Sequence, residues 1–171
     1  FFNFYMYLKY KSISLIIAVI IILDQFSKVF ISNTLIMYET KTIINGFLKF
    51  TYITNDGVAF GFNPFSQQTL LFIISVFAIL FVIKILFDSN KDPYLAQLGL
   101  IFIIGGAIGN LIDRFLTTFN LFNYSGVIDF INIGFNQHYF PFLFNLADSF
   151  ISIGITFYII SFLMTKTNYG K

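Results

Sequence analysis

The segment Gln67–Phe87, QQTLLFIISVFAILFVIKILF, decides the class of fold. Its only charged residue is Lys84, and at about 1.5 Å per residue a helix of this length crosses the roughly 30 Å hydrocarbon core of a bilayer. Three more segments share this length and apolar character, so we predict four membrane-spanning helices: Ser12–Ser32, Gln67–Phe87, Tyr94–Phe115 and Phe140–Met164. Residues 1–171 are expected to form one all-α membrane domain.

The composition of the whole chain agrees with this class. Charged residues make up only 11% and hydrophobic residues 57%, whereas soluble domains carry about 25% charged residues. The net charge of +2 gives no reason to expect a nucleic acid as partner. The chain has no cysteine and one histidine, which excludes disulfides and thiolate chemistry and disfavours a histidine metal site. Neither a metal nor another cofactor is therefore expected.

The lysines predict how the spans are oriented. Basic residues followed by the apolar run Ile13–Leu23 resemble a signal peptide, but no small-residue cleavage site follows, and we interpret the run as a retained span. In a four-pass topology six lysines share one side, which the positive-inside rule makes cytoplasmic: Lys9, Lys11, Lys84, Lys91, Lys166 and Lys171. Both termini are therefore predicted to be cytoplasmic, and the two long links, 33–66 and 116–139, to face outward.

The first outward link carries the pattern of a small sheet. Thr40–Ile44 and Phe47–Thr54 mix β-branched and aromatic residues as strands do. Asn45-Gly46 between them supplies the two positive-φ positions of a tight hairpin turn, and a second turn is predicted at Asp56-Gly57. We therefore expect a small extracytoplasmic β-sheet lying on the outer membrane surface beside the four helices.

Four aspartates lie in or beside these apolar segments, where a carboxylate is costly unless it is paired or faces a wet cavity. In the predicted topology Asp24 lies in the outer half of the first span, Asp113 ends the third, and Asp129 lies in the second outward link. Asp148 lies about eight residues into the fourth span, roughly 12 Å deep. All four carboxylates are thus expected in one layer, as a functional site. The alternative is that they only join helices by hydrogen bonds.

Two of these aspartates belong to the same local phrase, Asn110-x-x-Asp113 and Asn145-x-x-Asp148. Residues three apart on a helix share a face, so each phrase would present an amide and a carboxylate to the interior. The glycines of Gly105–Gly109 would let the third helix approach a neighbour closely. Two close carboxylates split their titration, so one can activate a water while the other, protonated, polarises a carbonyl. The pattern indicates hydrolysis without a metal.

Five stretches, in order along the chain, resemble the motifs of lipoprotein signal peptidase, the signal peptidase II family. They are DQFSK (Asp24–Lys28), NDGVAF (Asn55–Phe60), GGAIGNLIDRF (Gly105–Phe115), VIDFI (Val127–Ile131) and FNLADSFISIG (Phe144–Gly154). Each stretch is weak alone, but together they cover nearly the whole chain. The link from Arg114 to Asp129 is several residues longer than is usual in the family, and we expect it to alter only the outer rim where substrate enters.

The resemblance implies a bacterial intramembrane aspartic endopeptidase that removes signal peptides from prolipoproteins just before a diacylglyceryl-modified cysteine. By motif match, Asp129 and Asp148 would be the catalytic pair. Six other positions would shape the site and hold substrate: Asp24, Asn55, Asn110, Asp113, Arg114 and Asn145. The partners would be diacylglyceryl-prolipoproteins and membrane lipids. The protein would be a monomer of the inner membrane with its active site toward the outer leaflet.

Some roles stay open at the level of sequence. Arg114 could hold a lipid phosphate through two hydrogen bonds, or it could pair with Asp113 or Asp24. Either Asn110 or Asn145 could stabilise the oxyanion that forms as water adds to the scissile carbonyl.

Two residues with reactive side chains are expected to have ordinary roles. Lys28 follows Ser27, but adjacent residues on a helix point about 100° apart, so Lys28 is expected to snorkel toward the interface. His138 lies in a polar link and is expected to be solvated. The alternative functions are a proton- or cation-coupled transporter, which would also keep carboxylates in the membrane, and a non-enzymatic assembly subunit.

Overall fold

The computed structural model describes residues 2–55, 67–89, 92–136 and 138–168, and it confirms four long apolar helices with a small antiparallel sheet. The helices are α1 Phe2–Thr34, α2 Gln67–Asp88, α3 Tyr94–Thr118 and α4 Leu146–Asn168. The strands are β1 Thr40–Ile44, β2 Leu48–Asn55, β3 Val127–Phe135 and β4 His138–Tyr139. The predicted turn at Asp56-Gly57 and two of the orienting lysines, Lys91 and Lys171, lie outside the described residues.

Helix α3 is the central helix of the bundle. Half of its most apolar window is buried inside the protein, against 6% for α2. Its glycines permit close packing, as predicted: a Cβ added at Gly106 would run into the carbonyl oxygen of Ala147 in α4. A Cβ added at Gly109 would lie 2.6 Å from Oδ2 of Asp24 in α1. These two glycines therefore bring α1, α3 and α4 close enough for their polar side chains to meet.

Helix α4 begins at Leu146, six residues later than predicted. The preceding chain is extended, because Phe144 forms a bridge with Ile131 of β3 and accepts its N–H at 2.7 Å. Asn145 then caps the helix: its Oδ1 accepts the N–H of Asp148 at 2.9 Å, and Oδ2 of Asp148 accepts the N–H of Asn145 at 3.1 Å. This reciprocal capping box places Asp148 in the first turn of α4, so its predicted position eight residues into a span is wrong.

The two Asn-x-x-Asp phrases consequently differ in structure. Asn110 and Asp113 lie within α3, which continues to Thr118, so Asp113 does not end the helix as predicted. Asn145 precedes its helix, and the prediction that both phrases lie on helix faces is wrong for the second. The phrases nevertheless meet, because Nδ2 of Asn145 donates to Oδ1 of Asn110 at 3.0 Å.

The sheet lies at the end of the bundle where α1 and α3 end and α4 begins. Its strands are antiparallel in the order β1-β2-β3-β4, and Asp129 of β3 pairs with Ile53 of β2. Strand β3 is absent from the predicted elements, although VIDFINIGF has the β-branched and aromatic residues typical of strands. Ile128 and Phe130 join a buried cluster with Ile31 of α1. This packing fixes β3, and with it Asp129, against the bundle.

The hairpin between β1 and β2 forms as predicted, but its turn does not have the predicted two-residue form. Ile44 pairs with Leu48 across a three-residue loop, and the N–H of Phe47 donates to the carbonyl of Ile44 at 3.1 Å. Of the Asn45-Gly46 pair, only Gly46 has a positive φ, 73°. A positive φ at the third position of a four-residue turn is typical of type II, so this turn requires only one glycine.

Candidate active site

A fully buried lysine lies at the centre of the polar network. The Nζ of Lys28 lies 2.7 Å from Oδ2 of Asp24 and 2.9 Å from Oδ2 of Asp113, with the side chain 0% exposed. The same Nζ donates to Oδ1 of Asn110 at 3.0 Å. The prediction that Lys28 snorkels is therefore wrong, because two buried carboxylates hold its ammonium inside the bundle. The i,i+4 spacing of Asp24 and Lys28 is the sequence pattern that could have indicated this pair.

Hydrogen bonds connect these ion pairs to the neighbouring elements. Nε2 of Gln25 donates to Oδ2 of Asp24 and to Oδ1 of Asp113, each at 3.1 Å. Oδ1 of Asp24 accepts the N–H of Ala147 at the start of α4 at 2.9 Å. Oδ2 of Asp113 accepts the N–H of Ile128 in β3 at 3.2 Å. We call four of these residues the paired layer: Asp24, Gln25, Lys28 and Asp113. The paired layer joins α1, α3, α4 and β3.

Two other aspartates, Asp129 and Asp148, line one cavity of about 170 Å³, and we call them the dyad. Asp129 comes from β3 and is 4% exposed, whereas Asp148 comes from the first turn of α4. Asn55, Asn110 and Arg114 line the same cavity. Since a water molecule occupies about 30 Å³ in the liquid, the cavity has room for several waters or for a peptide group.

Amide N–H groups hold both carboxylates of the dyad. Asp129 accepts from Nδ2 of Asn145 at 2.7 Å and from Nδ2 of Asn55 at 3.2 Å, one on each oxygen. Asp148 accepts from Nδ2 of Asn110 at 2.7 Å and from the backbone N–H of Asn145 at 3.1 Å, again one on each oxygen. Among the residues that the structure describes, the buried ion pairs lie in the paired layer. The donors that hold the dyad are neutral.

The surroundings of Asp129 change its affinity for a proton. Burial raises the pKa of Asp129 from 3.8 to about 6, and the nearby charge of Asp148 acts in the same direction. The hydrogen bonds from Asn55 and Asn145 and the charge of Lys28 lower this pKa, but desolvation is the largest effect. Asp129 therefore binds a proton in a pH range where an exposed aspartate is ionised.

The eight predicted site residues belong to one connected site, but not all of them line the cavity. Five of them line the cavity, whereas Asp24 and Asp113 belong to the paired layer and Asn145 lies fully buried beneath the dyad. Because Asp24 and Asp113 form ion pairs with Lys28, the predicted pairing of Arg114 with either of them is wrong. The binding of a lipid phosphate by Arg114 stays a prediction.

The described residues form four helices that are long and apolar enough to cross a membrane. A cavity lined by carboxylates lies at one end of these helices. Together these features define a multi-pass membrane protein with a cavity that holds two acidic side chains. A family profile described as Signal peptidase (SPase) II matches residues 16–164. The lipoprotein signal peptidase of Maridesulfovibrio salexigens is 35% identical over 92% of this chain and 99% of its own length. That of Lactobacillus johnsonii is 40% identical over 85% and 88%. The chain belongs to the signal peptidase II family.

A solved structure agrees with this assignment. A bacterial membrane enzyme determined by the in meso method at 1.9 Å resolution aligns with a TM-score of 0.76 and 30% identity, covering 90% of this chain and 93% of its own. The chain is accordingly a protease that removes signal peptides from prolipoproteins, and a multi-pass protein of the bacterial membrane. The resemblance found in the sequence is confirmed, and it replaces the transporter and the assembly subunit as interpretations.

Proposed function

We propose that the chain is an intramembrane aspartic endopeptidase that cleaves the peptide bond on the N-terminal side of a diacylglyceryl-modified cysteine. One observation carries this proposal: Asp129 and Asp148 face one cavity and accept hydrogen bonds from neutral donors. Two such carboxylates can share a proton and exchange it with a bound water. They need neither a metal nor a nucleophilic side chain to hydrolyse an amide.

The two acids have different roles. Asp148 is the base, because it lies in the first turn of α4, where the positive end of the helix dipole stabilises negative charge. Asp129 is the acid, because burial raises its pKa to about 6. The reactive form of the enzyme therefore carries one proton, on Asp129.

Each proton in the reaction has a defined path. Asp148 takes a proton from water as the water oxygen bonds to the scissile carbonyl carbon, while Asp129 gives its proton to the carbonyl oxygen. The tetrahedral intermediate then collapses: Asp148 passes its proton to the leaving nitrogen, the C–N bond breaks, and Asp129 regains a proton from one hydroxyl of the intermediate. The products are a carboxylic acid and an amine, and the dyad returns to its starting state.

Asn110 is better placed than Asn145 to stabilise the negative charge that develops on the carbonyl oxygen. Asn110 lines the cavity, and in its described contacts its Nδ2 donates to Asp148 alone, so a second N–H can reach a substrate oxygen. Nδ2 of Asn145 is shared among three acceptors at 2.7, 3.0 and 3.2 Å. Of the two amides left open by the sequence, we therefore assign the oxyanion contact to Asn110.

The substrate helix and its lipid are proposed to approach beside α2. Gln68 and Leu71 of α2 line the cavity, and most of the apolar surface of this helix is not covered by the protein. Arg114, on the same cavity, would hold a phosphate of the surrounding lipid. We further propose one domain acting as a monomer, with both termini cytoplasmic and the cavity toward the outer leaflet.

Substitution of the dyad tests this function. Purified protein is incubated with a diacylglyceryl-modified peptide carrying the cleavage sequence and with its unlipidated twin. Asp129→Asn and Asp148→Asn should each lower cleavage of the lipidated peptide at least about 10³-fold, because either change removes an obligatory proton donor or acceptor. Asp92→Asn, at the opposite end of α3, is the matched control and should cleave normally.

Two results would contradict the proposal. Cleavage retained by a folded Asp129→Asn or Asp148→Asn variant would exclude the dyad mechanism. Equal cleavage of the lipidated and unlipidated peptides by the natural protein would leave the mechanism intact but exclude recognition of the diacylglyceryl group. Thermal unfolding of each variant shows whether a loss of cleavage reflects a loss of fold.

A further inference from the structure

Lys28 uses all three of its N–H groups inside the protein. They reach Oδ2 of Asp24 at 2.7 Å, Oδ2 of Asp113 at 2.9 Å and Oδ1 of Asn110 at 3.0 Å. An ammonium has three donors and no acceptor, so the group is saturated. The first two contacts neutralise charge. The third goes to a neutral amide and contributes nothing to charge balance, so it requires a separate explanation.

The third contact determines which way the amide of Asn110 points. A lysine can only donate, so the amide oxygen must face Lys28 and Nδ2 must face away from it. Nδ2 then donates to Oδ1 of Asp148 at 2.7 Å. The amide oxygen also accepts from Nδ2 of Asn145 at 3.0 Å, so both of its lone pairs are occupied.

Asn145 is oriented in the same manner. Its oxygen accepts the backbone N–H of Asp148 at 2.9 Å, a group that cannot become an acceptor. Nδ2 of Asn145 therefore faces Asn110 and Asp129, the latter at 2.7 Å. Hydrogen bonds with fixed direction thus connect Lys28 through two amides to both carboxylates of the dyad.

We propose that Lys28 is a positioning residue for cleavage, which together with Nδ2 of Asn145 holds the amide of Asn110 so that an N–H and not a carbonyl faces Asp148. This inference rests on the proposed function, in which Asp148 is the base. If the amide turned over, its oxygen would face a carboxylate oxygen, and two acceptors form a hydrogen bond only when one carries a proton. The turned amide would therefore set an acceptor against the base and remove the hydrogen bond that holds Asp148 in place. Because Lys28 is 0% exposed, it acts through Asn110 and not on the substrate.

Other charged groups also surround the dyad. They come from the elements packed against it: Asp24 from α1, and Asp113 and Arg114 from α3. The charge of Lys28 also lowers the pKa of Asp129, as the smallest of several effects. Any test must therefore separate the charge of Lys28 from its ability to donate to Asn110.

Two variants of equal charge and similar size make this separation. Lys28→Met has no donor, whereas Lys28→Gln keeps amide N–H groups that can reach toward Asn110 and Asp24. Both variants remove the cation, so both should unfold at a lower temperature than the natural protein. With the lipidated peptide as substrate, we expect kcat to fall at least about 100-fold in the Met variant and less than about 10-fold in the Gln variant. KM should change little in either, because Lys28 does not contact substrate.

Rescue by the Gln variant supplies a readout that a purely structural role would not move. Both variants lose the same charge, so a structural or charge effect should lower kcat equally in the two, whereas loss of the donor to Asn110 should lower kcat far more in the Met variant. Equal losses of kcat in folded Met and Gln variants would overturn the proposal. If the Met variant does not fold, the Gln variant decides alone: a folded Lys28→Gln protein with kcat below about a thousandth of normal would overturn it.

Parallel assays of the natural protein and Asp148→Asn distinguish this failure from a failure of the proposed function. If Asp148→Asn cleaves normally, the dyad is wrong and the role of Lys28 falls with it. If Asp148→Asn is inactive while the Met and Gln variants are alike, only the positioning role of Lys28 is wrong.

Discussion

The four aspartates of the polar network form two pairs with different partners. In the paired layer, Asp24 and Asp113 share one ammonium, at 2.7 and 2.9 Å. In the dyad, Asp129 and Asp148 accept amide N–H groups and border a cavity of about 170 Å³. Asp129 is buried almost as completely as Asp24, at 4% against 0% exposure, so burial alone does not distinguish these two residues.

The two pairs differ in the charge of their partners, and this charge determines what each carboxylate can do. Removing one member of a buried ion pair leaves an uncompensated charge, which strongly destabilises the fold. A carboxylate held by neutral donors can gain or lose a proton without leaving a charged partner behind. The paired layer is therefore suited to hold helices together, and the dyad to exchange protons.

Breaking the paired layer should have the largest effect on stability. Asp24→Ala leaves the N–H of Ala147 without its acceptor and takes one carboxylate from Lys28. We expect the free energy of unfolding to fall by about 3–5 kcal/mol, because two buried donors lose their acceptor and each costs about 1–3 kcal/mol; thermal or denaturant unfolding in detergent measures this loss. Asp24→Asn should lose less, because it keeps an oxygen for Ala147. Unchanged stability combined with lost cleavage would mean that the paired layer takes part in the chemistry. A purely structural role for the paired layer would then be excluded.

Replacing an aspartate of the dyad by asparagine should have the opposite effect on the free energy of unfolding and should stabilise the protein. The pKa of Asp129 is about 6 in the folded protein, above its ordinary value of 3.8, so the folded state binds more protons than the unfolded state between these values. Stability therefore falls as pH rises through this window, and the loss is complete above about pH 6. Asp129→Asn removes this penalty and should raise the free energy of unfolding at about pH 7.5 by about 1–2 kcal/mol.

The pH dependence of this gain checks its cause. The gain should vanish below about pH 4, where Asp129 is protonated in both states. The gain in stability should be smaller than the full pKa shift of Asp129 implies, because an asparagine cannot accept both hydrogen bonds that the carboxylate accepts. Asp24→Asn, with the same chemical change at a paired carboxylate, is the control and should lose stability at about pH 7.5. A gain at both positions would show that the two pairs do not differ.

Removing a single amide from the dyad should have the smallest effect. The hydrogen bond from Asn55 lowers the pKa of Asp129, so Asn55→Ala should raise it. Because the acid must carry its proton, kcat/KM falls as pH rises through the pKa of Asp129, and this alkaline limb should move to higher pH by less than about one unit. Thr54→Ala is the control, since Thr54 bonds to Ser125 instead. A shift to lower pH would exclude Asp129 as the acid.

Local sequence was sufficient for the helices and for one hairpin. A long apolar run can satisfy its backbone in a bilayer only as a helix or a closed barrel, so the four spans follow from composition and length alone. The residue at which α4 begins cannot be predicted in this way, because Phe144 pairs with Ile131 and this partner lies in another element. The missed strand β3 has the same explanation, since it pairs with β2.

Identical phrases took different structures for a related reason. Asn110-x-x-Asp113 has helix on both sides, whereas Asn145-x-x-Asp148 follows extended chain and becomes a capping box. The prediction that Lys28 snorkels is wrong because its neighbours in sequence are compatible with snorkelling, whereas one of its acceptors, Asn110, is 82 residues away. In each case the missing information was the identity of a distant partner.

The sequence was enough to predict that the chain crosses a membrane four times, carries a hairpin, and contains four acids in apolar surroundings, because apolar length, turn residues and residue type act locally. The packing of the folded chain sets which of those acids are neutralised by Lys28 and which face the cavity with amide partners. The energy of a buried charge depends on the distance and charge of its nearest groups, and here those groups come from segments far apart in the chain.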